Sequence, residues 1–150
     1  MDQLTDLETI ARLSAAAGFG AVLGLERGFR EQKAGLRTHV LIALASALFT
    51  IVSINGFGRA DPSRVAAQIV AGVGFLGAGA ILQGKGQTRG LTTAASIWTA
   101  AGLGMAAGTG MYVAGGFAVA LSVVVLSVLK PVSRSLATWS EHGESNDHDD

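Results

Sequence analysis

Apolar residues run in five long stretches along this chain, and charged residues fall almost entirely in the gaps between them. The stretches cover approximately residues 9–25, 38–54, 65–83, 91–107 and 111–129. A hydrocarbon core about 30 Å thick takes roughly 20 helical residues at 1.5 Å each, and every stretch approaches that length. Membrane β-strands would need runs of about ten residues in which polar and apolar positions alternate. Segments such as 40–45 (VLIALA) and 121–126 (LSVVVL) do not alternate. The pattern therefore predicts an all-α membrane protein, a bundle of about five transmembrane helices.

The first stretch is the least apolar, because Glu8 and Arg12 stand at its start and only residues 13–25 are cleanly apolar. Arg12 makes it workable by snorkelling towards the headgroups. Asp2, Asp6 and Glu8 precede it where a cleaved signal peptide carries basic residues, so the segment is expected in the mature protein. Composition agrees with the membrane reading: 49% hydrophobic and 15% charged residues leave too little polar surface to cover a water-soluble domain of 150 residues. Without cysteine, disulfides and thiolate chemistry are excluded.

Basic residues give the expected orientation. Arg27, Arg30, Lys33, Arg37, Lys85, Arg89, Lys130 and Arg134 fall on one side of five spans, and Arg12, Arg59 and Arg64 on the other. The positive-inside rule then places the amino terminus outside, the carboxyl terminus in the cytoplasm, and the 28–37 and 84–90 loops on the inner side. These residues flank loops rather than forming one basic face, so a nucleic-acid partner is not indicated; membrane lipid is. One membrane domain is expected over residues 1–135, followed by an acidic tail over 136–150. A short interfacial helix after Pro131 would dock Trp139 at the headgroups, and the tail from Ser140, with Glu141, Glu144, Asp147, Asp149 and Asp150, is expected to be disordered.

Twenty-one glycines change the picture of how the helices meet. In lipid no hydrophobic drive joins helices, so small residues that let backbones approach take over. Gly20 and Gly24 form one GxxxG pair, Gly72, Gly74, Gly77 and Gly79 line the third stretch, and Gly102 and Gly104 with Gly108 line the fourth. Close packing within the bundle, or between copies of it, is the expected role. The alternative is a third helix broken over residues 72–79 that offers backbone groups to an ion.

Polar residues at membrane depth call for a reason. Glu26 is expected to pair with Arg27, Arg37 or an arginine of the other inner loop. Thr38 is a candidate cap for the second helix, and His39 reads as a polar cap residue or as a proton-titrating switch. Arg64 and Gln68 open the third stretch; Arg89, Thr92, Thr93 and Ser96 open the fourth. Glu26, Arg37, Arg89 and Thr92 would converge on the inner surface if the first, second and fourth helices are neighbours. No phosphate-binding loop, nucleophile elbow, zinc helix or intramembrane carboxylate pair occurs, so no catalytic residue, metal ligand or cofactor is assigned.

Four blocks, Gly24-Leu-Glu-Arg27, Ala34-Gly-Leu-Arg-Thr-His39, the run 64–79 and Arg89-Gly-Leu-Thr-Thr-Ala-Ala-Ser-Ile-Trp98, occur here in one order. In these blocks the chain resembles the MgtC/SapB family of bacterial inner-membrane proteins, over roughly residues 12–130. The resemblance implies about five spans with the amino terminus outside. It also implies a regulator of adaptation to low magnesium and of intracellular survival, associated with restraint of the F-type ATP synthase. Two departures stand out. The family's namesake carries a further soluble carboxyl-terminal domain where this sequence has its acidic tail, so functions of that domain are expected to be missing. It also has asparagine at the positions of Thr92 and His39. Two functions follow as expectations: a non-enzymatic regulator acting through contacts with another membrane protein or itself, and an oligomeric channel or transporter for a small ion such as Mg²⁺, with Glu26, Gln68 and residues 72–79 near the path.

Overall fold

A computed structural model describes residues 4–56, 61, 63–84 and 87–144. Five helices follow one another: α1 (Asp6–Phe29), α2 (Leu36–Asn55), α3 (Ser63–Ala80), α4 (Leu91–Gly108) and α5 (Tyr112–Glu144). Between α3 and α4 lies a small antiparallel pair, β1 (Leu82–Gly84) and β2 (Gln87–Arg89), with Leu82 opposite Arg89. The all-α membrane architecture stands, with this hairpin where a plain loop was expected. The third helix accordingly stops at Ala80 rather than at residue 83.

Local chemistry explains most of the helix ends. Thr5 accepts a hydrogen bond from the Glu8 amide at 3.2 Å, so α1 begins ahead of its apolar stretch, and Asp6 and Glu8 suit the positive end of the helix dipole. At its other end the Gln32 amide reaches the Arg27 carbonyl at 3.1 Å and the Glu31 amide reaches that of Gly28 at 3.0 Å. This paired closure puts Glu31 at φ 54°, a left-handed position that usually holds glycine. The same closure ends α4, with Gly110 at φ 81°. The cap of α2 is Gly35, not Thr38, which lies inside the first turn.

Helix α4 is the hub and touches all four other helices. Each apolar cluster of the core draws on it: Ile97 and Ala101 pack with Ile69 and Val73 of α3, Ala100 and Leu103 with Leu23 and Val119, and Ala107 with Ala16 and Ala47. Three helices, α2, α3 and the Tyr112–Leu129 part of α5, are long and apolar enough to cross a membrane by length and composition. Helix α4 is not among them because its alanines, glycines and hydroxyl side chains make it less apolar, and half of its residues are buried against other helices. Helix α1 is diluted by its charged ends.

Glycine provides the closest approaches, but on fewer faces than the sequence suggested. A methyl group at Gly20 would stand 2.7 Å from the His39 carbonyl oxygen, and one at Gly24 2.7 Å from the Leu36 Cα. At Gly104 it would overlap the Ala43 carbonyl, and at Gly108 it would stand 2.8 Å from that of Ala47. Helix α2 is thus held between two GxxxG faces, one from α1 and one from α4, through its fully buried Ala43 and Ala47. Gly77 meets Ala94 at ordinary contact distance, whereas Gly72, Gly74, Gly79 and Gly102 have open space beside them. In α3 the buried face is Ile69, Val73 and Gly77, which turns Gly72, Gly74 and Gly79 outward, and Gly102 is likewise on the exposed side of α4.

Helix α5 runs through Pro131 to Glu144, where a separate interfacial helix and a disordered segment from Ser140 were expected. Residues 145–150 of the expected tail lie outside the described residues. Proline has no N–H for the Ser127 carbonyl one turn back, and Arg30 Nη2 donates to that carbonyl at 3.4 Å. Ordinary backbone bonding is thereby replaced by a side chain from α1.

Candidate functional site

The carboxyl end of α1, the amino ends of α2 and α4, and the second half of α5 meet at one end of the bundle. Arg27 sits there with 3% of its surface exposed. Its Nη2 donates to Thr93 Oγ1 at 3.1 Å and to Gln32 Oε1 at 3.0 Å, while its Nε is buried without a hydrogen-bond partner. Gln32 is held by its own Nε2, which donates to the Arg30 carbonyl at 2.9 Å. No carboxylate lies within ion-pair distance of Arg27 among the described residues.

A second set of bonds extends the site into α2. His39 is completely buried, with Nδ1 2.8 Å from the Gly35 carbonyl and Nε2 3.0 Å from Ser96 Oγ. The carbonyl only accepts, so Nδ1 carries a proton. Ser96 Oγ also lies 2.8 Å from the Thr93 carbonyl, and a hydroxyl has one proton to give. With a neutral ring, Ser96 donates to Nε2; with a charged ring, Nε2 donates to Ser96 and the hydroxyl turns to Thr93. Arg27, Thr93, Ser96, His39 and Gly35 thus tie α1, α4 and α2 in one chain of polar contacts. His39 is a bridge between helices rather than a cap at the surface.

Glu26 pairs with Arg30, Oε1 to Nε at 2.6 Å, and not with Arg27, Arg37 or an arginine of the hairpin. The four-residue spacing puts Glu26 and Arg30 on one helix face, whereas Arg27 is rotated towards α4. The Glu26 side chain is only 7% exposed, and neither of its oxygens makes a well-directed hydrogen bond, so the pair is a charge contact. Thr92 joins Arg27, Arg30 and Gln32 in lining a cavity of about 360 Å³ whose opposite wall is Val125, Leu126 and Leu129 of α5. Of the four residues expected to converge, only Thr92 lines this cavity. Thr92 is present and Glu26 is beside it through Arg30, but Arg37 and Arg89 are exposed outside the cavity.

Other residues picked out from the sequence lie elsewhere. Arg64 is exposed at the start of α3, and Gln68 lines an outer groove between α2 and α3 together with Ile42, Phe49 and Gly72. Arg12, at the opposite end of the bundle, pairs with Glu8 at 2.6 Å and donates to the Gly108 carbonyl at 2.8 Å, placing a cation at the negative end of α4. The roles of Arg30 and Gln32 were missed. A four-residue spacing to Glu26 signalled the first; nothing local in the sequence signals Gln32, which the turn after α1 brings back. No group of three or more acidic, histidine or cysteine side chains suited to a metal occurs among the described residues.

This arrangement is built on residues that fall within a recognisable sequence family: the model described as the MgtC family matches residues 13–135. The chain belongs to the MgtC family. It is 46% identical over 143 residues to the Escherichia coli protein named "Putative magnesium transporter YhiD", covering 90% of this chain and 66% of the relative. To Protein MgtC of Brucella abortus it is 41% identical over 128 residues, 85% of this chain and 54% of that one. To Protein MgtC of Salmonella typhimurium it is 47% identical over 89 residues, 59% of this chain and 38% of that one. The chain therefore spans less than two thirds of the length of these relatives. No solved structure matches it. Family membership and three membrane-length apolar helices make it a membrane protein.

Proposed function

We propose that this chain is a non-enzymatic regulator in the bacterial cytoplasmic membrane, acting in magnesium homeostasis through contacts with another membrane protein or a second copy of itself. The observation that carries this reading is the content of the polar interior. Where a Mg²⁺ pathway needs carboxylates, the buried polar residues are the Arg27 guanidinium, the His39 ring and five hydroxyl side chains, and the one deep carboxylate among the described residues, Glu26, is already against Arg30. A fixed cation repels a divalent one. The outward face of α3 supports the contact role, since Gly72, Gly74 and Gly79 leave room for a close neighbour and Phe75 is 82% exposed beside them.

The magnesium link rests on the name of the Escherichia coli relative, and that name also keeps transport in view as a second reading. The family resemblance makes the F-type ATP synthase the first partner to look for. A photoreactive amino acid placed at Gly74 in native membranes is expected to capture a second membrane protein or a second copy of this chain. Recovery of lipid adducts alone from that position overturns the contact reading. The basic loop residues support an outside amino terminus. A single cysteine introduced as Lys33→Cys into this cysteine-free chain should react only with reagents that reach the cytoplasm, and labelling of intact cells by an impermeant reagent would reverse the assignment.

A further inference from the structure

Beside the Arg27 cavity runs a second groove of about 510 Å³ along α4 and α5, and the two share Thr92, Val125 and Leu126. One half is cationic and polar, lined by Arg27, Arg30, Gln32 and Thr92. The other is mainly apolar, with Leu23 at its base and Leu121 and Ala95 on its flanks. From Thr92 to Thr99 the groove follows α4 for about 10 Å at 1.5 Å per residue. We propose that this continuous groove binds an anionic phospholipid, with its phosphate at the Arg27 and Arg30 end and the upper part of an acyl chain between α4 and α5.

Three observations meet in the polar half. Arg27 is nine-tenths buried and more, lines the cavity, and retains a buried Nε with no acceptor. Burying such a guanidinium with an incomplete set of acceptors is costly, and an anion held against it in the cavity offsets that cost through its charge. Helix α4 begins at the same place. Its cap is Gly90, which has no side chain to offer, so the positive end of this 18-residue helix lacks a side-chain cap. Charge sets the sign of the ligand: Arg27 and Arg30 against Glu26 leave one net positive charge.

The apolar half selects lipid over a free anion. Leu126, Leu129 and Val125 form the wall facing the arginines, and a soluble phosphate would leave that wall and the adjoining groove empty. Val125 lines both halves and is still 45% exposed, so it stands at the rim of a groove that is open at its side, where a lipid can enter without unfolding anything. The inference is independent of whether the chain regulates or transports.

The test uses the full chain, purified in detergent and examined by native mass spectrometry against phosphatidylglycerol, phosphatidylcholine of the same acyl chains, and inorganic phosphate. Phosphatidylglycerol should bind at least about tenfold more tightly than phosphatidylcholine, because the two offer the same phosphate but only phosphatidylcholine brings a quaternary ammonium up against the Arg27 and Arg30 cations. Arg27→Gln should remove that preference, and Val125→Trp, which fills the groove from its exposed rim, should weaken both lipids while leaving the helical content unchanged. If Arg27→Gln fails to fold, Val125→Trp and the headgroup comparison still decide. Equal binding of the two lipids, phosphatidylglycerol binding untouched by Val125→Trp, or phosphate competing as well as the intact lipid would each overturn the proposal.

Discussion

Arg27 carries a full charge inside the bundle, yet its partners are an amide and a hydroxyl. Removing a carboxylate from the guanidinium's surroundings leaves its positive field available, whereas the neighbouring Glu26 and Arg30 largely cancel each other. Three residues in that stretch of sequence thus have two fates, Glu26 and Arg30 paired and Arg27 apart, and the difference is a matter of helix face. Four-residue spacing to Arg30 was legible; the distinction between Arg27 turned inward and Arg37 turned outward was not, because it depends on where α4 lies. Glu31 is the one non-glycine residue at positive φ among the described residues. The left-handed conformation costs roughly 1–2 kcal/mol for a residue with a Cβ, part of which glycine returns through its larger unfolded-state freedom. Glu31→Gly should therefore raise stability by about 0.5–1 kcal/mol in a detergent-solubilised unfolding assay, since the Glu31 side chain is exposed. An unchanged or lowered stability would mean that the closure of α1 is not strained.

Helix pairs in this protein are set by which small residues face inward. Gly104→Ala should destabilise by about 1–3 kcal/mol, because its methyl has nowhere to go against the Ala43 backbone. Gly102→Ala, two residues away, meets nothing within 4 Å and should be neutral or mildly stabilising by helix propensity. Thermal unfolding of the two variants side by side checks the assignment; equal effects would refute it. The existence of five helices was readable from the apolar runs, since their lengths match a bilayer. Which glycines pack was not, since α2 and α4 are apolar or small on every side and carry no polar stripe to mark an outer face. The α3–α4 hairpin escaped the same reading. Its strands are three residues long, too short for an alternation to show, and Gly90 at φ 93° is what turns the chain into α4 beside Ala80.

At the scale of the whole molecule, α1, α2 and α4 form a tight core that glycine and alanine close from both sides of α2, with α3 and α5 laid on its flanks. Polar groups inside that core serve each other: Arg27 donates to Thr93, Ser96 to either the Thr93 carbonyl or His39, and His39 to the Gly35 carbonyl. On the proposed reading no cation passes through the protomer, and the outward face of α3 and the groove between α4 and α5 are the surfaces that make contacts. The family was legible from four sequence blocks, of which the first, second and fourth contribute to the Arg27 and His39 contacts while the third forms α3. Uptake of Mg²⁺ into proteoliposomes holding an entrapped Mg²⁺-sensitive dye is the most direct measurement. Vesicles containing the purified chain should fill no faster than protein-free vesicles under the same gradient; saturable uptake above that control, reduced by Glu26→Gln, would contradict the account.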